Sequence, residues 1–115
     1  MKVTSPTAEE HASYRSLEDV LGCKWSVAVV AALGRGVHRP GQLERGISGI
    51  STKILTERLR KLLAYDLVTR TTHPGRVLHV EYRLTSVGQR LAGVIEQLRA
   101  LEAEHTSSTT VALPR

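Results

Sequence analysis

Between Ser51 and Leu84 the hydrophobic repeat changes from a helical to a strand period, and this change limits the possible folds more than any other feature. Leu55, Leu59, Leu62 and Leu63 recur at spacings of four, three and one, which places them on one stripe of a helix. Ser51 stands where the N-cap of that helix belongs, because its hydroxyl can accept a bond from an otherwise unpaired backbone N–H. Lys53, Thr56, Glu57 and Arg60 fall on the opposite side, and the pattern ends near Tyr65 and Asp66. Residues 67–72 are rich in β-branched side chains, and His73-Pro74-Gly75-Arg76 is a turn sequence. Residues 77–84 then alternate, with Leu78, Val80, Tyr82 and Leu84 on one face and His79, Glu81 and Arg83 on the other. The chain therefore contains a basic amphipathic helix that leads directly into a β-hairpin with a basic tip.

The flanking segments are helical. Residues 1–13 are polar and aperiodic, which predicts a flexible arm preceding a domain over 14–104. Ser16 and Asp19 fit a capping box for a short first helix carrying Leu17, Val20 and Leu21, and Gly22 breaks it. A second helix over 24–33 carries Trp25, Ala28, Val29, Ala32 and Leu33 as one apolar stripe, with Trp25 as a core anchor. Pro40 can open a short third helix over 41–45, with Leu43 facing inward. After the hairpin, Thr85 caps a long last helix whose stripe is Val87, Leu91, Val94, Ile95, Leu98 and Leu101. Residues 105–115, rich in Ser and Thr, are expected to form a frayed tail.

Composition narrows the function. The 115 residues accommodate one domain and carry a net charge of +5. That excess is concentrated: residues 51–90 hold eight Lys/Arg against three acids, 8 − 3 = +5, while the segments before and after contribute +1 and −1. A basic segment of this kind is the footprint of polyanion binding, a solvated charged face being the alternative. Aromatic residues are only 3%, which argues against a single-strand binder built on stacked rings. One Cys excludes an internal disulfide and a Cys-rich zinc site. The five histidines show neither an i, i+4 pair nor a metal-ligand spacing along the chain, so neither a metal nor a cofactor is expected. His73 in the hairpin turn could touch phosphate or simply be an exposed turn residue. No Gly-rich phosphate loop and no Ser–His constellation supports an enzyme. The longest apolar stretch, 27–33, is too short to cross a bilayer, and no secretory signal opens the chain, so a cytoplasmic location is expected.

The fold class this order defines is mainly α with a small β-hairpin, the winged helix-turn-helix. A helix about 11 Å across fits a major groove about 12 Å wide, and its first turn lies closest to the base edges. Ser51, Thr52, Lys53 and Thr56 are then the candidate readers, with Lys53 reaching guanine or a phosphate and Arg60 meeting the backbone two turns on. Arg76, beside Gly75, can enter the minor groove or bind its phosphates. The partner class is double-stranded DNA. A module that binds protein instead is the alternative, although Glu57 is the only acid among the outward residues of the helix.

Several runs strengthen this reading. They are Leu21-Gly22-Cys23-Lys24-Trp25, Ile47-Ser48-Gly49-Ile50-Ser51, Leu55-Thr56-Glu57-Arg58-Leu59-Arg60, Asp66-Leu67-Val68-Thr69-Arg70, and Val80-Glu81-Tyr82-Arg83-Leu84-Thr85 with Gly88. In this order the stretch 17–91 resembles the HxlR-type winged helix-turn-helix transcriptional regulators of bacteria and archaea, related in architecture to the MarR type. The resemblance implies a homodimer, operators near promoters and, frequently, a thiol- or electrophile-sensing role. Many members carry a reactive Cys where this chain has Ala12, and Cys23 replaces the family's second Gly. The aromatic residue usual early in the third helix is replaced by Pro40-Gly41.

Cys23 reads either as a small filler at a helix junction or as a thiolate favoured by Lys24 and the helix N-terminus. The apolar length of the last helix points to a second copy of the chain, with Leu91, Ile95 and Leu98, together with Leu17, Val20 and Leu21, as the expected dimer interface. Any small-molecule or redox effector is unspecified by the sequence.

Overall fold

The structure is a computed structural model that describes residues 8–77 and 79–112. Its elements are α1 (Ala8–Leu21), α2 (Lys24–Gly34), α3 (Pro40–Gly46), α4 (Thr52–Ala64), β1 (Val68–His73), β2 (His79–Leu84) and α5 (Ser86–Ala112). This is the winged helix-turn-helix order, with α3 and α4 as the two helices of the turn and the β1–β2 hairpin as the wing.

Helix α2 forms the centre because it is apolar nearly all round, and such a helix has to be covered on every side. Ser26 and the run 29–33 are buried, and α1, α3, α4, α5 and β2 all pack on this helix. Leu43 of α3, Leu55, Leu59 and Leu62 of α4, and Leu91 and Ile95 of α5 complete a single core. A Cβ added to Gly34 would stand 3.0 Å from Ala92 Cβ, so this glycine allows α2 and α5 to cross closely.

Local chemistry fixes the ends of α3 and α4. Pro40 occupies the first turn of α3, where its missing N–H costs nothing. The Ser51 hydroxyl accepts from Ile54 N at 3.1 Å, the expected N-cap of α4. At the other end Asp66 adopts φ +59°, and the N–H groups of Asp66 and Leu67 return to the carbonyls of Leu63 and Leu62, both at 3.0 Å. This is a Schellman closure with Asp in the left-handed position where Gly is more usual. It turns the chain straight into β1.

The strands are antiparallel, in register from Val68↔Leu84 to His73↔His79. Tyr82 and Leu84 pack against the core, as the alternation predicts, and pairing puts Thr69, Thr71 and His73 on the outer face with His79, Glu81 and Arg83. Tyr82 N donates to His38 O at 2.8 Å, which holds the free edge of β2 to the α2–α3 linker.

Three expectations need correction. Helix α1 begins at Ala8, so residues 8–13 belong to it, while 1–7 lie outside the described residues. Residues 8–15 contain Ala, Glu and Arg, good helix formers without an apolar period, so a search for periodicity passes over them. Ser16 is consequently inside α1 and caps nothing, and Asp19 binds elsewhere. Helix α5 continues to Ala112, so 105–112 are helical rather than a frayed tail, and 113–115 lie outside the description. The strands start at Val68 and His79, one and two residues later than the pattern suggested, and Leu78 is outside the description.

Candidate nucleic-acid interface

The exposed side of α4 carries Thr52, Lys53, Thr56, Glu57 and Arg60, because Leu55, Leu59 and Leu62 take the opposite side into the core. Three of the predicted readers are engaged within the chain. Ser51 Oγ accepts the capping bond, Thr52 Oγ1 bonds to the Glu44 carboxylate, and Thr56 Oγ1 donates to Thr52 O at 2.8 Å. A hydroxyl has one proton to give, so Thr52 and Thr56 keep only acceptor capacity, whereas Ser51 can still donate. The threonines therefore suit exocyclic amino groups of adenine or cytosine better than phosphate oxygens, which accept only.

The cations behave differently. Lys53, Arg60 and Arg76 are exposed and form no ion pair among the described residues. Lys53 lies in the first turn of α4, and Arg60 is about 10 Å further along the helix axis. Arg76 sits on a separate element, in the turn between the strands. Arg70 of β1 is likewise exposed and unpaired among the described residues. Its signal was its place in the basic segment, but neither a cap nor a turn singled it out. Glu44 was also missed, since it comes from α3 and only the fold brings it to Thr52.

The rear of α4 is tied down. Lys61 Nζ lies 2.8 Å from Asp19 Oδ2, and the Tyr65 hydroxyl donates to the same carboxylate oxygen. The Lys61 ammonium, followed by the Tyr65 hydroxyl, holds the Asp19 carboxyl below its ordinary value, and Asp19 in turn raises both Lys61 and Tyr65. Cys23, half-buried at the N-cap of α2, directs its thiol toward Asp19 Oδ1 at 3.8 Å. Lys24, the cation expected to favour a thiolate, instead lies over the Trp25 ring, 4.9 Å from its centroid. Trp25 packs partly buried against the core.

The expected dimer interface divides in two. Val20, Leu91 and Ile95 are buried within the chain and have almost no surface to offer a partner. Leu17 is partly buried against the same core, while Leu21 at 40% and Leu98 at 47% are exposed. The stripe does not face one way: Leu91 and Ile95 turn inward while Val94, Leu98 and Leu101 turn outward. Among the described residues no helix is long and apolar enough to cross a membrane.

These elements define a winged helix-turn-helix protein whose second turn-helix presents unpaired cations. The chain belongs to the HxlR-like helix-turn-helix family, whose pattern matches residues 20–110. It is 37% identical over 86 residues to the HTH-type transcriptional regulator sll1512 of Synechocystis sp., a match spanning 75% of this chain and 64% of that one. It is 33% identical over 87 residues to the HTH-type transcriptional regulator YtcD of Bacillus subtilis, covering 76% and 69% of the two chains. A transcriptional regulator of the MarR family from Enterococcus faecalis V583 superposes with a TM-score of 0.73 at 28% identity, covering 97% of this chain and all of that one (100%). The family and these relatives are transcriptional regulators of the helix-turn-helix type, not enzymes.

Proposed function

We propose that the protein is a sequence-specific regulator that binds double-stranded DNA as a homodimer, with α4 in the major groove and the β1–β2 turn against the adjacent minor groove. The observation that carries this reading is the set of exposed cations Lys53, Arg60 and Arg76, unpaired among the described residues while Lys61 and Arg83 nearby are paired. Lys53 contacts a guanine edge or a phosphate, Arg60 and Arg76 contact phosphates, and Ser51, Thr52 and Thr56 line the first turn. Two copies of α4 about 34 Å apart match an inverted repeat, and occlusion of polymerase makes repression the default outcome. The dimer forms through the apolar surface shared by Leu21, Leu98 and Leu101, which line one groove between α1 and α5. A DNA-binding regulator of this kind works in the cytoplasm, at the nucleoid.

A salt-titrated mobility shift with random duplex and with selected operator tests the proposal. Lys53→Ala is expected to weaken binding, and Arg76→Ala to lower the salt slope by about one, the value for one lost phosphate contact. An unchanged slope and affinity for Arg76→Ala would remove the wing from the interface. Failure of the native protein to bind any duplex at low salt would favour a protein-binding module.

A further inference from the structure

The segment between β1 and β2 is flanked by a group of side chains that sequence spacing does not reveal. His73 and His79 are six residues apart in the chain, but they are direct partners across the hairpin. Their rings stack with centroids 5.0 Å apart and planes inclined by 21°. Glu81, two residues beyond His79 and so on the same face of β2, brings Oε1 to 3.2 Å from His73 Nε2. One ligand atom from each of His73, His79 and Glu81 falls within 4.8 Å of the other two. All three residues are half-buried.

We propose that His73, His79 and Glu81 form a binding site for a divalent transition-metal ion of the zinc class. Two imidazoles and one carboxylate are a donor set that zinc accepts, leaving one position for water. Metal–ligand bonds of about 2.0–2.1 Å in a tetrahedron place ligand atoms about 3.3 Å apart. The His73–Glu81 pair, at 3.2 Å, already has that separation; the stacked rings of His73 and His79 must turn out of their stack until one ion lies in both ring planes, a movement that also closes the remaining distance of up to about 1.5 Å. Both rings must be neutral to bind, and Arg83, 3.1 Å from Glu81 Oε1, is the one cation in this cluster that competes for the carboxylate. Binding joins the last residue of β1 to the first of β2, and so staples the hairpin immediately below the turn that holds Arg76. The site stands independently of the DNA-binding reading.

The test uses full-length protein without an affinity tag, stripped with chelator and titrated with Co²⁺ followed by competing Zn²⁺. The expected result is one equivalent per chain, with visible absorption bands that Zn²⁺ abolishes. The separate variants His73→Ala and His79→Ala should each bind at least ~10-fold more weakly, the lower end of what losing even a supporting partner costs. Cys23→Ser should bind normally. Because all three ligands lie on the outer face of the hairpin, far-ultraviolet dichroism should show the variants folded. Zn²⁺ should also slow amide exchange at Thr71 and Glu81, a hydrogen-bonded pair of the ladder, in the native protein and not in His79→Ala. Absence of saturable binding, or equal binding by native protein and both His variants, would overturn the proposal.

Discussion

At the scale of single residues, side chains of the same type play different parts according to what faces them. Lys53 and Lys61 are on one helix, yet Lys53 is exposed and Lys61 anchors α4 to α1 through Asp19. The anchor sets a pH dependence. Asp19 titrates below its ordinary value in the folded chain, so its contribution is present above the unfolded value near pH 4 and is lost as pH falls through the folded one. Lys61 is raised, so its contribution holds below about pH 10.5 and fades as pH rises through the folded value. Asp19→Asn is therefore expected to lower the urea midpoint by a constant amount across neutral pH. The difference from the native protein should begin to shrink below about pH 4 and disappear as pH falls through the lowered folded value, where the native carboxylate is also neutral. A difference unchanged down to pH 2 would show that the ion pair is not its source. Asp19 was legible only as a helix-start residue, because its partners at Lys61 and Tyr65 are supplied by the fold. The cap at Ser51 was legible because donor and acceptor are three residues apart.

At the scale of elements, the junction between hairpin and last helix is closely packed. Thr85 N donates to Leu67 O at 3.0 Å, Thr85 Oγ1 donates to Asp66 O at 2.9 Å, and Gly88 N donates to Thr85 Oγ1 at 3.1 Å. A Cβ on Gly88 would overlap the Leu67 carbonyl and approach Leu84 Cδ2 to 3.1 Å. Helix propensity alone would make Gly→Ala stabilising by up to about 1 kcal/mol. Gly88→Ala should instead destabilise by about 1–3 kcal/mol, since the overlapped atom is backbone and cannot rotate away. Gly93, exposed in the same helix with open space around it, supplies the contrast: Gly93→Ala should stabilise by up to about 1 kcal/mol. Chemical denaturation of both variants reads the two signs directly. Helices α2 to α4 and the hairpin could be read from the sequence because caps, breakers and periods agree there. The start of α1 and the end of α5 could not, since neither segment has an apolar period to mark it. The His73–His79–Glu81 cluster escaped for a related reason, as a ligand search along the chain does not see pairing across a turn.

At the scale of the whole molecule, the chain is more extended than its length requires. Its radius of gyration is 17.3 Å, against about 13 Å for a compact domain of some hundred residues. Helix α5 contributes to this: residues 96–107 are all exposed, although Leu98 and Leu101 lie among them. Replacing both with Glu should convert the proposed dimer to monomer in sedimentation while helicity is kept, because neither side chain supports the core. A monomeric native protein at tens of micromolar, about 10⁻⁵ M, would contradict the paired-helix arrangement. In the proposed dimer the length of α5, about 40 Å for 27 residues, would give that pairing a metrical role. Two α5 helices that slide past each other by one turn shift by about 5.4 Å, whereas successive base pairs rise by about 3.4 Å. One turn of slippage would thus carry the second α4 more than one base pair out of phase with its half-site. The outward leucines would then act as the graduations of a calliper, setting the operator spacing the protein accepts from a helix that the proposed binding mode keeps off the DNA.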